Sequence, residues 1–240
     1  MSLKGKNRAI FSYNNVDRNE SNFVYKDFEK TRSYHSSFVG AKFTGISFRA
    51  AHMKYCNFSS SVFQDSDFVG TNLRGSIFSG VHLKNCIFVA SVLDKTNFKN
   101  ATFENCYLVA TGVKTAKNFP ANCDGLIILP SLPPQDSITY ELRTSIESLR
   151  DNDLIRRSNT LHGKNGKVNT LTIMVLHNDY TDEELIRYLP MLPQYVSSQF
   201  YTVSYLKTML KKNKKIIYNI RALPPSLRNP EQKYMGLRTD

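Results

Sequence analysis

The sequence predicts a stacked-repeat solenoid in its N-terminal half, followed by a mainly α-helical C-terminal domain. Three observations carry that expectation. A large apolar residue returns at every fifth position but one from Phe23 to Val113. The rhythm stops at Asn118-Phe119-Pro120, and a proline-rich stretch follows. Beyond it, apolar residues take up helical spacing.

A period of five suits neither a long helix, which wants 3.6, nor a half-buried strand, which wants two. Counting in fives gives Phe38, Phe43, Phe48, Met53, Phe58, Phe63, Phe68, Leu73 and onward to Val113, and only Ser33 breaks the apolar rule in nineteen steps. Two residues before each of these the side chain is nearly always small, as at Ala41, Ala51, Cys56, Ser61, Ser66, Thr71, Ser76, Cys86 and Cys106; Ile46 and Val81 are larger exceptions. Large and small inward residues thus alternate, and the other three positions of each five are expected to face solvent. Self-similarity sustained in this way marks stacked repeats.

The pattern resembles the pentapeptide-repeat family, whose motif is written Ala-(Asp/Asn)-Leu-x-x with Phe often in place of Leu. It stands here as Thr71-Asn72-Leu73-Arg74-Gly75, Thr96-Asn97-Phe98-Lys99-Asn100 and Ala41-Lys42-Phe43-Thr44-Gly45. The resemblance covers about residues 21–115. It implies a mainly β N-terminal half, a right-handed quadrilateral β-helix of about five coils with twenty residues per coil. Phe38, Phe58, Phe78 and Phe98 then form one column, Phe43, Phe63, Leu83 and Phe103 a second, and Phe48, Phe68, Phe88 and Leu108 a third. The fourth column, Met53, Leu73, Leu93 and Val113, uses no phenylalanine. With coils spaced like neighbouring strands, the rod is about 24 Å long. Its open ends need covers. The expected organisation is a solenoid over 1–118 with residues 1–20 as N-terminal cap, a proline-rich linker over 119–136, and a helical domain over 137–240 ending in a basic, proline-containing tail.

In that last part, Ile138, Leu142, Ile146 and Leu149 share one face of a helix over about 137–150. The segment Thr170–Leu176 is a short buried helix or strand, which periodicity does not decide. Thr181 with Glu184 reads as a capping box opening a helix that ends near Pro190. Val196, Phe200, Val203, Leu206 and Leu210 form the stripe of a helix over about 195–212, and the chain from Ala222 is expected to be extended. No family resemblance extends to residues 120–240.

Composition and charge narrow the function classes. Hydrophobic residues make up 41% and charged residues 22% of 240, an ordinary globular composition. No apolar run approaches the roughly 20 residues of a membrane span, and the start has no signal-peptide pattern. The expectation is a cytoplasmic, bacterial protein with reduced thiols. The formal charge is +12, which favours acidic partners. Residues 1–120 hold 16 basic and 8 acidic side chains, so most of the excess lies on the solenoid half.

Candidate chemistry is sparse. Cys56, Cys86 and Cys106 take the small inward position and read as packing thiols. The five histidines show no ligand spacing and read as surface residues, and Gly163–Lys167 reads as a turn, not a phosphate loop. The acidic residues, Asp65, Asp67, Asp94 and Glu104 among them, scatter over outer positions without pairing. No catalytic residue, metal site or cofactor is expected, and the protein reads as a non-enzyme.

The outward positions say more. On the third side Val69, Val89 and Val109 form a ladder flanked by Ile87 and Tyr107, an apolar face that asks for a cover. The cover is a partner protein, a second copy, or the chain's own C-terminal helices. The fourth side carries Lys54, Arg74, Lys95 and Lys114, and a second basic cluster comprises Lys207, Lys211, Lys212, Lys214 and Lys215. Either set can engage an acidic partner or nucleic-acid phosphates.

The leading expectation is a non-enzymatic interaction module or adaptor with a helical docking or dimerisation domain, a subunit of a bacterial multiprotein system, antiphage defence included. Nucleic-acid binding is the second. The best understood pentapeptide-repeat proteins mimic duplex DNA at type II topoisomerases, which needs an acidic surface. The positive charge here disfavours that role.

Overall fold

Every fifth residue from Asn15 to Ala110 has a left-handed backbone, with φ between 48° and 69°. These residues turn the corners that make a five-residue period possible. Most are not glycine, so each corner costs about 1–2 kcal/mol that stacking must offset. The computed structural model describes residues 12–163, 165–197 and 199–222.

Four sides follow. The second side is a five-stranded sheet of β1 (Asn22–Val24), β3 (Lys42–Thr44), β5 (Val62–Gln64), β7 (His82–Lys84) and β9 (Thr102–Glu104). The third contains β6 (Asp67–Val69), β8 (Ile87–Val89), β10 (Cys106–Val109) and β11 (Leu126–Leu129). The fourth holds β2 (Arg32–Tyr34) and β4 (His52–Lys54), and the first is joined by single bridges such as Ser37 to Asn57 and Asn57 to Ile77. All these pairings are parallel and offset by twenty residues, as Phe43 with Phe63 and Phe68 with Phe88 show. The N-terminal half is therefore a four-sided β-solenoid.

The expected columns are its core. Phe43 and Phe63 stack at 4.6 Å, Phe48 and Phe68 at 4.8 Å, and Phe68 and Phe88 at 4.4 Å, all within 6° of parallel. The small inward positions tie each coil to the one below. Ser61 Oγ donates to the Phe38 carbonyl at 2.6 Å, Thr71 Oγ1 to Phe48 at 2.7 Å and Ser91 Oγ to Phe68 at 2.6 Å. Cys56, Cys86 and Cys106 repeat the arrangement, with Sγ 3.4–3.5 Å from the corresponding carbonyls. These thiols pack as expected, and burial pushes the Cys86 thiol well up.

Both ends differ from the sequence-based expectation. Ser12 bridges Arg32, Asp17 bridges Ser37, and Tyr13 packs on Phe28 and Phe38, so the solenoid already includes residues 12–20. Residues 1–11 of the cap expected over 1–20 lie outside the described residues. At the other end, the stretch read as a linker supplies β11, with Leu108 opposite Ile128. Phe119 turns in against Phe98 at 5.2 Å and Phe103 at 5.9 Å, covering two columns. Gly125 makes the entry to β11 possible: its φ is +83°, and a Cβ there would lie 2.6 Å from the Phe103 carbonyl oxygen.

The helical half contains α1 (Tyr140–Glu147), α2 (Asp153–Ser158), α3 (Thr170–Leu176), α4 (Asp182–Tyr188) and α5 (Val203–Ala222). Thr139, Asn152 and Asn169 cap the first three by accepting backbone N–H groups. Thr181 and Glu184 form the expected capping box of α4. The undecided segment Thr170–Leu176 is a helix, started by the Asn169 cap. The last helix begins at Val203, later than its apolar stripe, because Val196 and Phe200 reach the core from irregular chain. Leu142, Ile146, Ile155, Leu185, Leu206 and Leu210 centre a second core. The expected extended tail from Ala222 lies outside the described residues beyond that residue. No described helix is long and apolar enough to cross a membrane.

Candidate functional site

The third side is where the two halves meet. Ile87, Tyr107 and Val109 are buried beneath Leu171 and Val175 of α3 and Val203 of α5, with Val89, Leu129 and Met174 at the margin. The apolar ladder is thus covered by the chain's own helices, and a partner protein cannot contact Ile87 or Val109 while they are docked. Val69 and Val89 remain half-buried. A polar contact seals the edge, since Asn178 Nδ2 donates to the Tyr107 hydroxyl at 2.6 Å.

Along the same side toward the N-terminus the outward residues change from apolar to charged. Val109, Val89 and Val69 continue into Arg49 and Glu29, whose Nε and Oε1 lie 3.4 Å apart. Burial and then Asp27 hold the Glu29 carboxyl above its usual value. Beside them Asp67 is buried, not solvated as its outward position suggested, because α5 begins directly over it. Its Oδ2 accepts the Val203 N–H at 3.2 Å. A carboxylate at a helix N-terminus is favourable for both hydrogen bonding and the helix dipole.

Burial pushes the Asp67 carboxyl up to about 7, against the opposing effects of the Val203 N–H and Arg49. The folded protein therefore holds this proton where the unfolded chain has lost it. The associated stability is fully present below the ordinary carboxylate range, about pH 4, and is lost as pH rises through about 7. We expect the urea midpoint to fall between about pH 5 and pH 8, and Asp67→Asn to flatten that dependence. An equally steep profile in the variant would assign the effect elsewhere.

Between the solenoid and the helices lies a cleft of about 550 Å³. Val69 and Val89 form its floor, Leu171 and Val203 its helical wall, and Pro133 and Pro134 its rim, with Arg49, Asp67 and His162 among the polar residues. His162 departs from the surface reading: it is 2% exposed, and its Nε2 lies 3.0 Å from the Ile146 carbonyl oxygen. Burial lowers its pKa, so the ring is neutral. Among the described residues no His, Cys, Asp and Glu side chains gather as a metal-holding set.

The basic residues are not brought together. On the fourth side Lys95 and Lys114 are exposed, Lys54 sits over the Tyr34 ring at 5.6 Å, and Arg74 pairs with Asp94 at 3.1 Å. On α5, Lys207 pairs with Asp179 at 2.5 Å and Lys214 with Glu184 at 2.7 Å, while Lys211 and Lys212 are exposed. Lys207 and Lys211 line a groove with Asp65, Asn85 and Asn105, the corner between the second and third sides. The side chain of Lys215 lies outside the described residues.

Sequence reasoning missed Asp67, Arg49, Asn178 and His162. A column reading of the third side would have flagged the first two, since Arg49 and Asp67 continue the two outward rows that carry Val89 and Ile87.

The sequence profile of the family described as pentapeptide repeats matches residues 41–80 and 76–110. The N-terminal half is a pentapeptide-repeat domain. Solved structures similar to the chain include a pentapeptide-repeat protein of the cyanobacterium Cyanothece 51142, at 10% identity, covering 49% of this chain and 86% of that one with a TM-score of 0.27. Another, from Nostoc Pcc 7120, is 16% identical over 42% of this chain and 84% of that one, with a TM-score of 0.29. A third, from the thylakoid lumen of Arabidopsis thaliana, is 19% identical over 48% of this chain and 82% of that one, with a TM-score of 0.24. No curated protein matches the chain. The pentapeptide-repeat domain of this chain is a scaffold of the kind used in protein interaction, and its third side is engaged by the chain's own helical half.

Proposed function

We propose that the protein is a non-enzymatic interaction scaffold whose partner contacts the C-terminal end of the solenoid. The observation that supports this reading is β11. It pairs with β10 along one edge and is the last strand of its sheet. Ile127, Ile128 and Leu132 at this end are 47%, 40% and 48% exposed. A strand edge with apolar side chains recruits another strand or another solenoid end, with backbone hydrogen bonds supplying affinity and side chains specificity. Stacked coils present that edge already ordered, so little entropy is lost on binding.

We do not extend the proposal to nucleic acid, because the exposed lysines lie on different sides of the solenoid and several are paired. The setting the reading favours is a subunit or adaptor of a multiprotein system. The test is co-purification with the neighbouring gene products together with sedimentation velocity. A complex or dimer is expected for the native chain, with affinity at least about tenfold weaker in Ile127→Lys/Ile128→Lys at unchanged circular dichroism. A native chain that stays monomeric and partnerless would refute the reading.

A further inference from the structure

We propose that the fourth side of the solenoid binds an acidic, extended segment of a partner protein. The helical half packs on the third side, and the fourth stays open, with Arg32, His52, Tyr55, Arg74 and Val92 exposed. Stacking fixes the order of its outward residues, since Arg32 lies beside His52, His52 beside Asn72 and Asn72 beside Val92.

Charge identifies the occupant. Five cations, Arg32, Lys54, Arg74, Lys95 and Lys114, fall one to a coil along this face, against the single carboxylate of Asp94. With coils about 4.8 Å apart, the row runs for about 19 Å, the reach of about six extended residues. Cations spaced out in this way form no pocket for one anion. They suit a linear ligand that carries several. The face already shows the contact it makes, because Arg74 Nε lies 3.1 Å from Asp94 Oδ2, and a guanidinium fork matches a carboxylate. Arg32, Lys54, Lys95 and Lys114 have no such carboxylate among the described residues.

The aromatic residues decide between polypeptide and nucleic acid. Sequence-tolerant binding of single strands uses free aromatic faces on which the bases stack. Here His35 and Tyr55 stack on each other at 5.1 Å and 8°, Tyr55 reaches over Gly75, where a Cβ would lie 2.5 Å from the ring, and Lys54 sits over Tyr34 at 5.6 Å. The rings are already engaged within the face. The contact with Tyr34 also holds the Lys54 ammonium in place, so less side-chain entropy is lost on binding. Asp94 points the same way, since a polypeptide can set an uncharged residue opposite it, whereas a phosphodiester strand is charged at every unit.

The experiment uses the full chain and fluorescence anisotropy at about 50 mM salt, where neighbouring charges are weakly screened. The probe is a rhodamine-labelled peptide of alternating Glu and Ser, about eight residues long. The same peptide with Gln for Glu, a labelled oligothymidylate and a short DNA duplex are the comparisons. Arg32→Gln/Lys54→Gln removes two cations from the fourth side, and Lys211→Gln/Lys212→Gln removes the same charge from exposed lysines of α5. We expect the acidic peptide to bind with sub-millimolar Kd and its Gln counterpart to bind at least about tenfold weaker. The fourth-side variant should weaken the acidic peptide about tenfold and the α5 variant should leave it little changed, both with native circular dichroism. The proposal is overturned if the acidic peptide does not bind, if the Gln peptide binds equally well, or if the two variants lose equally. Tighter binding of either nucleic acid than of the peptide, lost in the fourth-side variant, would overturn it in favour of a nucleic-acid surface. The solenoid end plays no part, so Ile127→Lys/Ile128→Lys should bind the peptide at least as tightly as the native chain, and failure of the contact at that end would leave this result standing.

Discussion

Phe68→Ala is expected to destabilise the solenoid by about 3–5 kcal/mol, the usual cost of removing a fully buried aromatic ring. Phe68 is 1% exposed and lies between Phe48 at 4.8 Å and Phe88 at 4.4 Å, with Phe63 edge-on at 5.4 Å. The neighbours are held by ladders offset by twenty residues and cannot collapse into the gap without breaking register. The lesion also sits mid-stack. Solenoid stability is a sum of coil and nearest-neighbour terms, so a weak central junction should broaden the urea transition and lower its midpoint. Tyr55→Ala, at a corner where the side chain is 47% exposed, should shift the midpoint far less. Equal shifts for the two substitutions would mean that ring stacking does not carry the fold.

The contrast between Phe68 and the helical half explains what a sequence reveals here. In the repeats, each residue's environment is set by its position in the five, because left-handed corners recur at Asn15, Glu20, Tyr25 and onward. Local pattern and global fold then carry the same information. The pattern loses force at Pro120, where β11 pairs through the apolar run Leu126–Leu129 without the small-large alternation. For Thr170–Leu176, nearly every residue is buried, so no exposed face betrays a period. Asp67 shows the same limit from another direction. Its outward position predicts exposure, and its burial comes from α5 landing on it, a contact with Val203 across 136 residues. The Val69, Val89 and Val109 ladder revealed that a cover must exist. Which element supplies it depended on tertiary geometry that no local spacing encodes.

Val109→Asp tests that cover directly and should release the helical half from the solenoid. Val109 is fully buried and packs in one cluster with Leu171, Val175 and Val203. A carboxylate placed there has no cationic partner in that cluster, and an uncompensated buried charge costs about 3–5 kcal/mol. Few residues hold the junction, whereas the helical half keeps its own core around Leu142, Ile146, Leu185 and Leu206. Undocking is therefore cheaper than unfolding, and both halves should keep their secondary structure. Hydrogen exchange should rise in α3 and the first turns of α5, and in Ile87 and Tyr107, while the coils around Phe43 and Phe63 stay protected. Small-angle scattering should show a larger radius of gyration. Val92→Asp supplies the control, since Val92 is outward on the fourth side and 43% exposed. If Val109→Asp leaves α3 protected and the radius unchanged, the two halves are held by something other than the apolar ladder. If it unfolds the helices as well, the helical half depends on the solenoid for its fold and not only for its position.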